Sequence, residues 1–224
     1  TVADADRSAV LPTLAAAQMP FVLAHNVPQS ASWPSVCVDN RRAMAEAAEH
    51  LLALGHCHIG MVTGPVWQSD RAQQRFLGYC DAMQQAGLKP FPLIEMPSHT
   101  RSDFQQLRPR LQGANPLTAV ICSNDLLAIS LMGAAARAGV QVPTQLSVMG
   151  FDGIETGEHL TPSLASVVQP SDLLGACAID MLLQHARGGS RMLAHHLRLG
   201  ESIAPAPRST FVNTRESTCQ RTTE

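Results

Sequence analysis

Two apolar runs in the middle of the chain each end in polar side chains. Ala119-Val120-Ile121-Cys122 is followed by Ser123-Asn124-Asp125, and the run from Leu146 to Phe151 is followed by Asp152. A third run, Phe21 to Ala24, ends at His25-Asn26, and Arg71 and Arg75 lie four apart, on one face if that segment is helical. Amides, carboxylates, guanidinium groups and an imidazole suit the hydroxyls of a sugar, the edge of a purine or a small acid. They do not form a catalytic set, because no nucleophile elbow, phosphate-cradling glycine loop, dinucleotide fingerprint or H-E-x-x-H zinc motif occurs. Each residue also has a plainer use. Asn124 or Asp125 can cap the helix that follows, Asp152 before Gly153 can shape a turn, and Arg75 can be a solvated helix residue.

These residues need a scaffold that brings strand ends together. The apolar runs predict strands at Phe21–Ala24, Val36–Val38, Ile59–Thr63, Leu93–Met96, Ala119–Cys122, Leu146–Phe151, Leu164–Val168 and His195–Leu199, with Thr1–Ala3 as the end of another. Helices are predicted between them, from Asp6 to Gln18 (with Pro12 delaying the start), Asn40 to Leu54, Ser69 to Gln85, Ser102 to Leu111, Leu126 to Ala138 and Pro170 to Arg187. Asp39 or Asn40 is a natural cap, and Gly55, Gly87 and Gly139 are natural stops. Phe76, Leu77 and Met83 read as core. Strands alternating with helices imply parallel sheets covered on both faces, and such sheets bind ligands in the crevice beyond the strand ends.

The 224 residues suffice for one large domain or two small ones. Sixteen basic and eighteen acidic residues leave no basic stripe for nucleic acid, and Lys89 is the only lysine. The six cysteines contain no CxxC pair and read as free thiols of a reducing, cytoplasmic compartment. His56-Cys57-His58 and His195-His196 lack a second ligand group at metal-binding spacing, so neither a metal nor another cofactor is expected. No run approaches the ~20 apolar residues of a membrane span, and no signal peptide is visible at the start. The polar stretch 205–224 reads as a linker or disordered tail.

Longer stretches carry a family resemblance. Asn40 to Pro65 (NRRAMAEAAEHLLALGHCHIGMVTGP) resembles a segment of the LacI/GalR family of bacterial transcriptional regulators. Arg75-Phe76-Leu77-Gly78-Tyr79 resembles its R-x-x-G-[FYW]. Thr118 to Gly153 is similar to its strand–helix–strand ending in Gly-Phe-Asp, and Thr161–Leu164 with Val168-Gln169-Pro170 to its "P.LTTV.QP". The matches run in order from about Met19 to Gly188.

The resemblance implies an α/β, periplasmic-binding-protein-like type I fold: two doubly wound parallel-sheet subdomains joined by three crossovers. Residues 1–38 plus 169–191 would form an incomplete N-terminal subdomain, and 39–168 plus 192–204 the C-terminal one. It implies a non-enzymatic role, with a small effector, a sugar or related metabolite, bound between the subdomains. Arg75, Asn124 and Asp152 fall at the family's effector-binding positions, with His25 where many members carry Asp, and Arg71 beside them. Homodimer contacts are implied for the helix 126–138 and the loop 155–161, through Leu127, Leu131, His159 and Leu160. Operator DNA would be bound through a helix-turn-helix that these 224 residues do not contain. The alternative on the same fold is a periplasmic sugar-binding protein serving a transporter.

Overall fold

A computed structural model describes residues 2–30, 33–184 and 189–207. The expected helix end at 185–187 and the polar tail from 208 onward lie outside these residues. The chain begins with helix α1 (Val10–Ala16) and strand β1 (Leu23–Ala24), then β2 (Ser35–Val38), α2 (Asn40–Ala53) and β3 (Ile59–Thr63). Next come α3 (Asp70–Gln85), β4 (Ile94–Glu95), α4 (Phe104–Leu107), β5 (Ala119–Cys122), α5 (Asp125–Arg137), β6 (Ser147–Asp152) and β7 (Ala165–Val168). It closes with α6 (Ser171–Leu183), β8 (Ser190–Leu193) and β9 (His196–Arg198).

Two sheets result. The smaller has the order β1-β2-β8, all parallel; the larger has the order β4-β3-β5-β6-β7-β9, parallel except for β9, which runs antiparallel to β7 at the edge. The chain passes between them three times, after Val38, after Val168 and after Leu193. The architecture is the α/β one expected. Strand β8 was not foreseen: its residues Ser190, Arg191 and Met192 are exposed, so it follows two glycines with no apolar alternation and is held by backbone pairing to β2. Val2 and Ala3 are not in a strand. The Asn26 side chain takes both polar backbone groups of Val2, through Oδ1 from its N–H (3.0 Å) and Nδ2 to its carbonyl (2.9 Å). Helix Ser102–Leu111 is broken, becoming α4 followed by a 3₁₀ turn at Arg108–Leu111, because Pro109 cannot donate into an α ladder.

The core of the larger sheet has two sides. On one, α2 and α3 bury Met44, Leu51, Tyr79 and Met83 against Met61, Ile121, Met149 and Phe151. On the other, α4 and α5 bury Phe104, Leu127, Leu131 and Ala135 against Val62, Val120 and Val148. Asp39 starts α2 by accepting the Arg42 N–H, at 2.9 Å. Cys37, Cys80, Cys122 and Cys177 are free thiols. Cys57, half-buried in the turn after α2, is disulfide-bonded, which corrects the expectation of a free thiol there.

Beyond β9 the chain turns back beneath the larger sheet. The buried Ser202 hydroxyl donates to Val148 O (2.6 Å) and accepts from Ala165 N (2.8 Å). His56, fully buried, holds the next residues: Ala204 O can only accept, so Nε2 carries the proton (2.9 Å), and Nδ1 accepts from Thr118 Oγ1 (2.9 Å). Burial lowers the His56 pKa below its ordinary 6.5, although the bond to Ala204 works the other way. The unfolded chain therefore takes up this proton first. The contribution of His56 is intact above about pH 6.5 and is lost as the pH falls below it. The thermal midpoint is expected to fall between pH 7 and pH 5 more steeply than in His56→Gln, measured by calorimetry in matched buffers. Parallel curves for the two proteins would exclude the latch as the source.

A polar cavity between the two sheets

The candidate site is built on strand ends. β6 ends in Asp152, held at φ 117° and followed by Gly153 at φ 75°; this pair of left-handed residues turns the chain sharply. β1 ends at Ala24, so His25, also left-handed at φ 71°, points from the smaller sheet toward the larger. β5 ends at Cys122, leaving Ser123 and Asn124 at the mouth, and α3 contributes Arg71 and Arg75 from its first two turns. All five residues expected from the sequence, His25, Arg71, Arg75, Asn124 and Asp152, line one cavity of about 580 Å³, together with His99, Ser123 and Gln169. That volume is in the range of small-molecule sites.

Arg75 is the most constrained. It is buried, with its guanidinium 3.6 Å from the Phe151 ring centroid. Nε donates to Asn40 Oδ1 at 2.8 Å, and Nη1 donates to Ser123 O and to Asp152 Oδ1, the latter at 3.3 Å. The solvated-residue reading of Arg75 does not survive this. Asp152, about a third exposed, also accepts from Gln169 Nε2 at 2.8 Å through the same oxygen. With Nε2 donating, the Gln169 Oε1 accepts, so His25 Nδ1 carries the proton across the 3.4 Å contact between them. A chain of polar contacts thus joins the smaller sheet to the larger: His25, Gln169, Asp152, Arg75. Burial lowers the His25 pKa foremost, and the positive charge of Arg71 adds to it, against the Gln169 bond. His99 is lowered by burial and then by Arg71. Both imidazoles are neutral at pH 7.

Asn124 serves the scaffold. Its Oδ1 accepts the Leu127 N–H (2.9 Å), capping α5, and its Nδ2 donates to His99 O (2.8 Å). The capping use expected of Asn124 or Asp125 therefore falls to Asn124. Asp125 is buried and fastens the loop after β6, accepting from Ser166 Oγ (2.6 Å) and Ile154 N (2.8 Å). Burial raises its pKa. Gln169, His99 and Ser123 were missed as lining residues. Gln169 stood in the quoted motif at a crossover, a usable signal; His99 lies in a loop with none.

Leu127 and Leu131 require a correction. Both are fully buried against the larger sheet, so neither side chain can reach a second subunit. The outer face of α5 carries Leu126, 52% exposed, with the half-buried Ile129 and Gly133 and the exposed Arg137. His159 is exposed and lies 3.7 Å from Glu155, while Leu160 packs partly on the core. Among the described residues no three His, Cys, Asp or Glu side chains converge as a metal site, and no helix is long and apolar enough to cross a membrane.

Known proteins share this arrangement. The HTH-type transcriptional repressor CytR of Escherichia coli strain K12 is 30% identical over 199 residues, covering 84% of this chain and 57% of the repressor. The chain spans about half the length of the curated relatives it matches. A LacI family transcriptional regulator from Enterococcus faecium with bound ribose superposes with a TM-score of 0.79 at 25% identity, covering 92% of this chain and 79% of the regulator. The lac repressor dimer bound to operator and the anti-inducer ONPF superposes with a TM-score of 0.76 at 27% identity, covering 89% of this chain and 61% of the repressor. With the model of the periplasmic binding protein-like domain matching residues 48–211, the chain belongs to that family and is homologous to the effector-binding domains of LacI-family regulators.

Proposed function

We propose that this chain is the effector-binding and dimerisation region of a cytoplasmic, DNA-binding transcriptional regulator. The observation that carries the reading is the cavity, whose polar lining comes from both sheets, with His25 on one side and Arg71, Arg75 and Asp152 on the other. A ligand seated there touches both and stabilises one relative setting of the two over the other. Such a ligand shifts a population only by the difference in its affinity for the two settings. Coupled to DNA-binding heads outside these residues, that difference changes operator affinity. The lining contains no nucleophile paired with a base, which fits binding rather than turnover. The transporter reading has less support, since CytR is a repressor. The proposed dimer surface is the outer face of α5, with Leu126, Ile129 and Arg137, together with His159 in the loop after β6.

The test uses the full-length protein that contains this region. A metabolite found by thermal-shift screening is expected to change its affinity for DNA selected in vitro. Asp152→Asn, which keeps an acceptor for Gln169 but loses the charge facing Arg75, is expected to weaken that metabolite about tenfold. Sedimentation is expected to show a dimer for both. Equal effector affinity in the variant would remove Asp152 from the site, and a monomer at micromolar concentration would remove the proposed surface.

A further inference from the structure

The charges lining the cavity do not cancel. Three lining residues are charged: Arg71, Arg75 and Asp152. Arg75 and Asp152 face each other at 3.3 Å. Arg71, half-buried beside them, has no carboxylate within 4 Å of its guanidinium among the described residues. The nearby acids are turned away and satisfied. Asp70 accepts from Asn26 Nδ2 (2.8 Å) and Ala5 N (3.2 Å), and Asp125 accepts from Ser166 and Ile154. His25 and His99, held low first by burial, are pushed the same way by the charge of Arg71, as expected of a cation that nothing in the cavity neutralises.

One further observation narrows the occupant. Among the described residues the lining contains no Phe, Tyr or Trp, so the rings it offers a nucleobase are the small imidazoles of His25 and His99.

We propose that the cavity takes a small hydroxylated organic anion whose negative group pairs with Arg71, while its hydroxyls meet Gln169 and Asp152. The proposal rests on the effector-site reading above and names the class of effector. A carboxylate and a phosphate ester share the required chemistry, since each presents coplanar or clustered oxygens to a guanidinium fork. A neutral sugar would leave the Arg71 charge half-buried and unpaired.

The experiment is calorimetric titration of the full-length protein that contains this region with charge-matched sets: glucose, gluconate and glucose 6-phosphate; ribose, ribonate and ribose 5-phosphate; and adenosine as a neutral base. An anion is expected to be the tightest ligand, with the acid and ester arms separating the two sources. Arg71→Gln is expected to weaken that anion about tenfold or more, and Arg71→Lys, which keeps the charge but not the fork, to recover part of the loss. A neutral sugar that binds tightest, needs Asp152 and ignores Arg71→Gln overturns the anion while leaving the effector site standing. No binding of any probe to the wild-type chain overturns both. A second measurement needs no ligand: Arg71→Gln is expected to raise the imidazole pKa values of His25 and His99 in NMR titrations, and unchanged values overturn the unpaired charge.

Discussion

Arg75→Ala is expected to lower the thermal midpoint by about 10 °C and to abolish effector binding at once. The substitution removes a guanidinium that is 5% exposed and touches four groups: Asn40 Oδ1, Ser123 O, Asp152 Oδ1 and the face of Phe151. Two acceptors lose their donor inside the protein, at about 1–3 kcal/mol each where they remain dry, and a void opens over Phe151. The loss of the Asp152 pairing counts for less, because that carboxylate is about a third exposed and water can replace the contact. A net cost of about 3–4 kcal/mol follows. Arg75→Lys separates charge from shape. A single ammonium cannot reach Asn40, Ser123 and Asp152 together, so lysine is expected to recover less than half of the lost stability. Full recovery by lysine would mean that the ion pair, and not the fork, holds the site together. A midpoint unchanged by alanine would mean that Arg75 is not the brace described.

What could be read from the sequence follows from how local each signal is. β3 was expected at Ile59–Thr63 and β5 at Ala119–Cys122, and both are found there, because each is a short apolar run bounded by strong turn residues. The start of α2 was legible from the Asp39 cap. α5 was legible as a helix, but the direction it faces was not. DLLAISLMGAAAR is apolar on nearly every side, so its periodicity does not tell Leu127 and Leu131, which face the sheet, from Leu126, which faces out. β8 was missed because its residues pair through the backbone while their side chains stay in solvent. The five candidate site residues were visible as polar groups at strand ends and on one helix, and the structure brings all five to one cavity. Their division of labour was not visible. That Asn124 caps a helix while Gln169 bridges His25 and Asp152 depends on contacts between residues up to 144 positions apart.

Gly78→Ala is expected to cost at least about 3 kcal/mol, against the helix preference for alanine, which alone would favour it by roughly 1 kcal/mol. Gly78 lies in α3 where that helix crosses α2, and a Cβ there would meet the backbone oxygen of Arg41 at 1.9 Å and its carbonyl carbon at 2.8 Å. The obstacle is backbone, so no rotamer change relieves it and the two helices must separate. Separation disturbs both neighbours of Gly78 in the R-x-x-G-[FYW] stretch. Arg75 lies one turn earlier. Tyr79 follows, fully buried, with its hydroxyl donating to Ile59 O (2.8 Å) and accepting from Phe91 N (2.9 Å). The motif is thus one mechanical unit, in which glycine lets α2 close on α3, tyrosine locks α3 to β3 and arginine reaches the cavity. Gly175→Ala in α6, where a Cβ meets nothing within 4 Å, is the control and is expected to stabilise by about 0.5–1 kcal/mol. Urea unfolding of both variants makes the comparison. If Gly78→Ala proved neutral or stabilising like Gly175→Ala, the helices would cross farther apart than described, and the seat of Arg75 would have to be rebuilt with them.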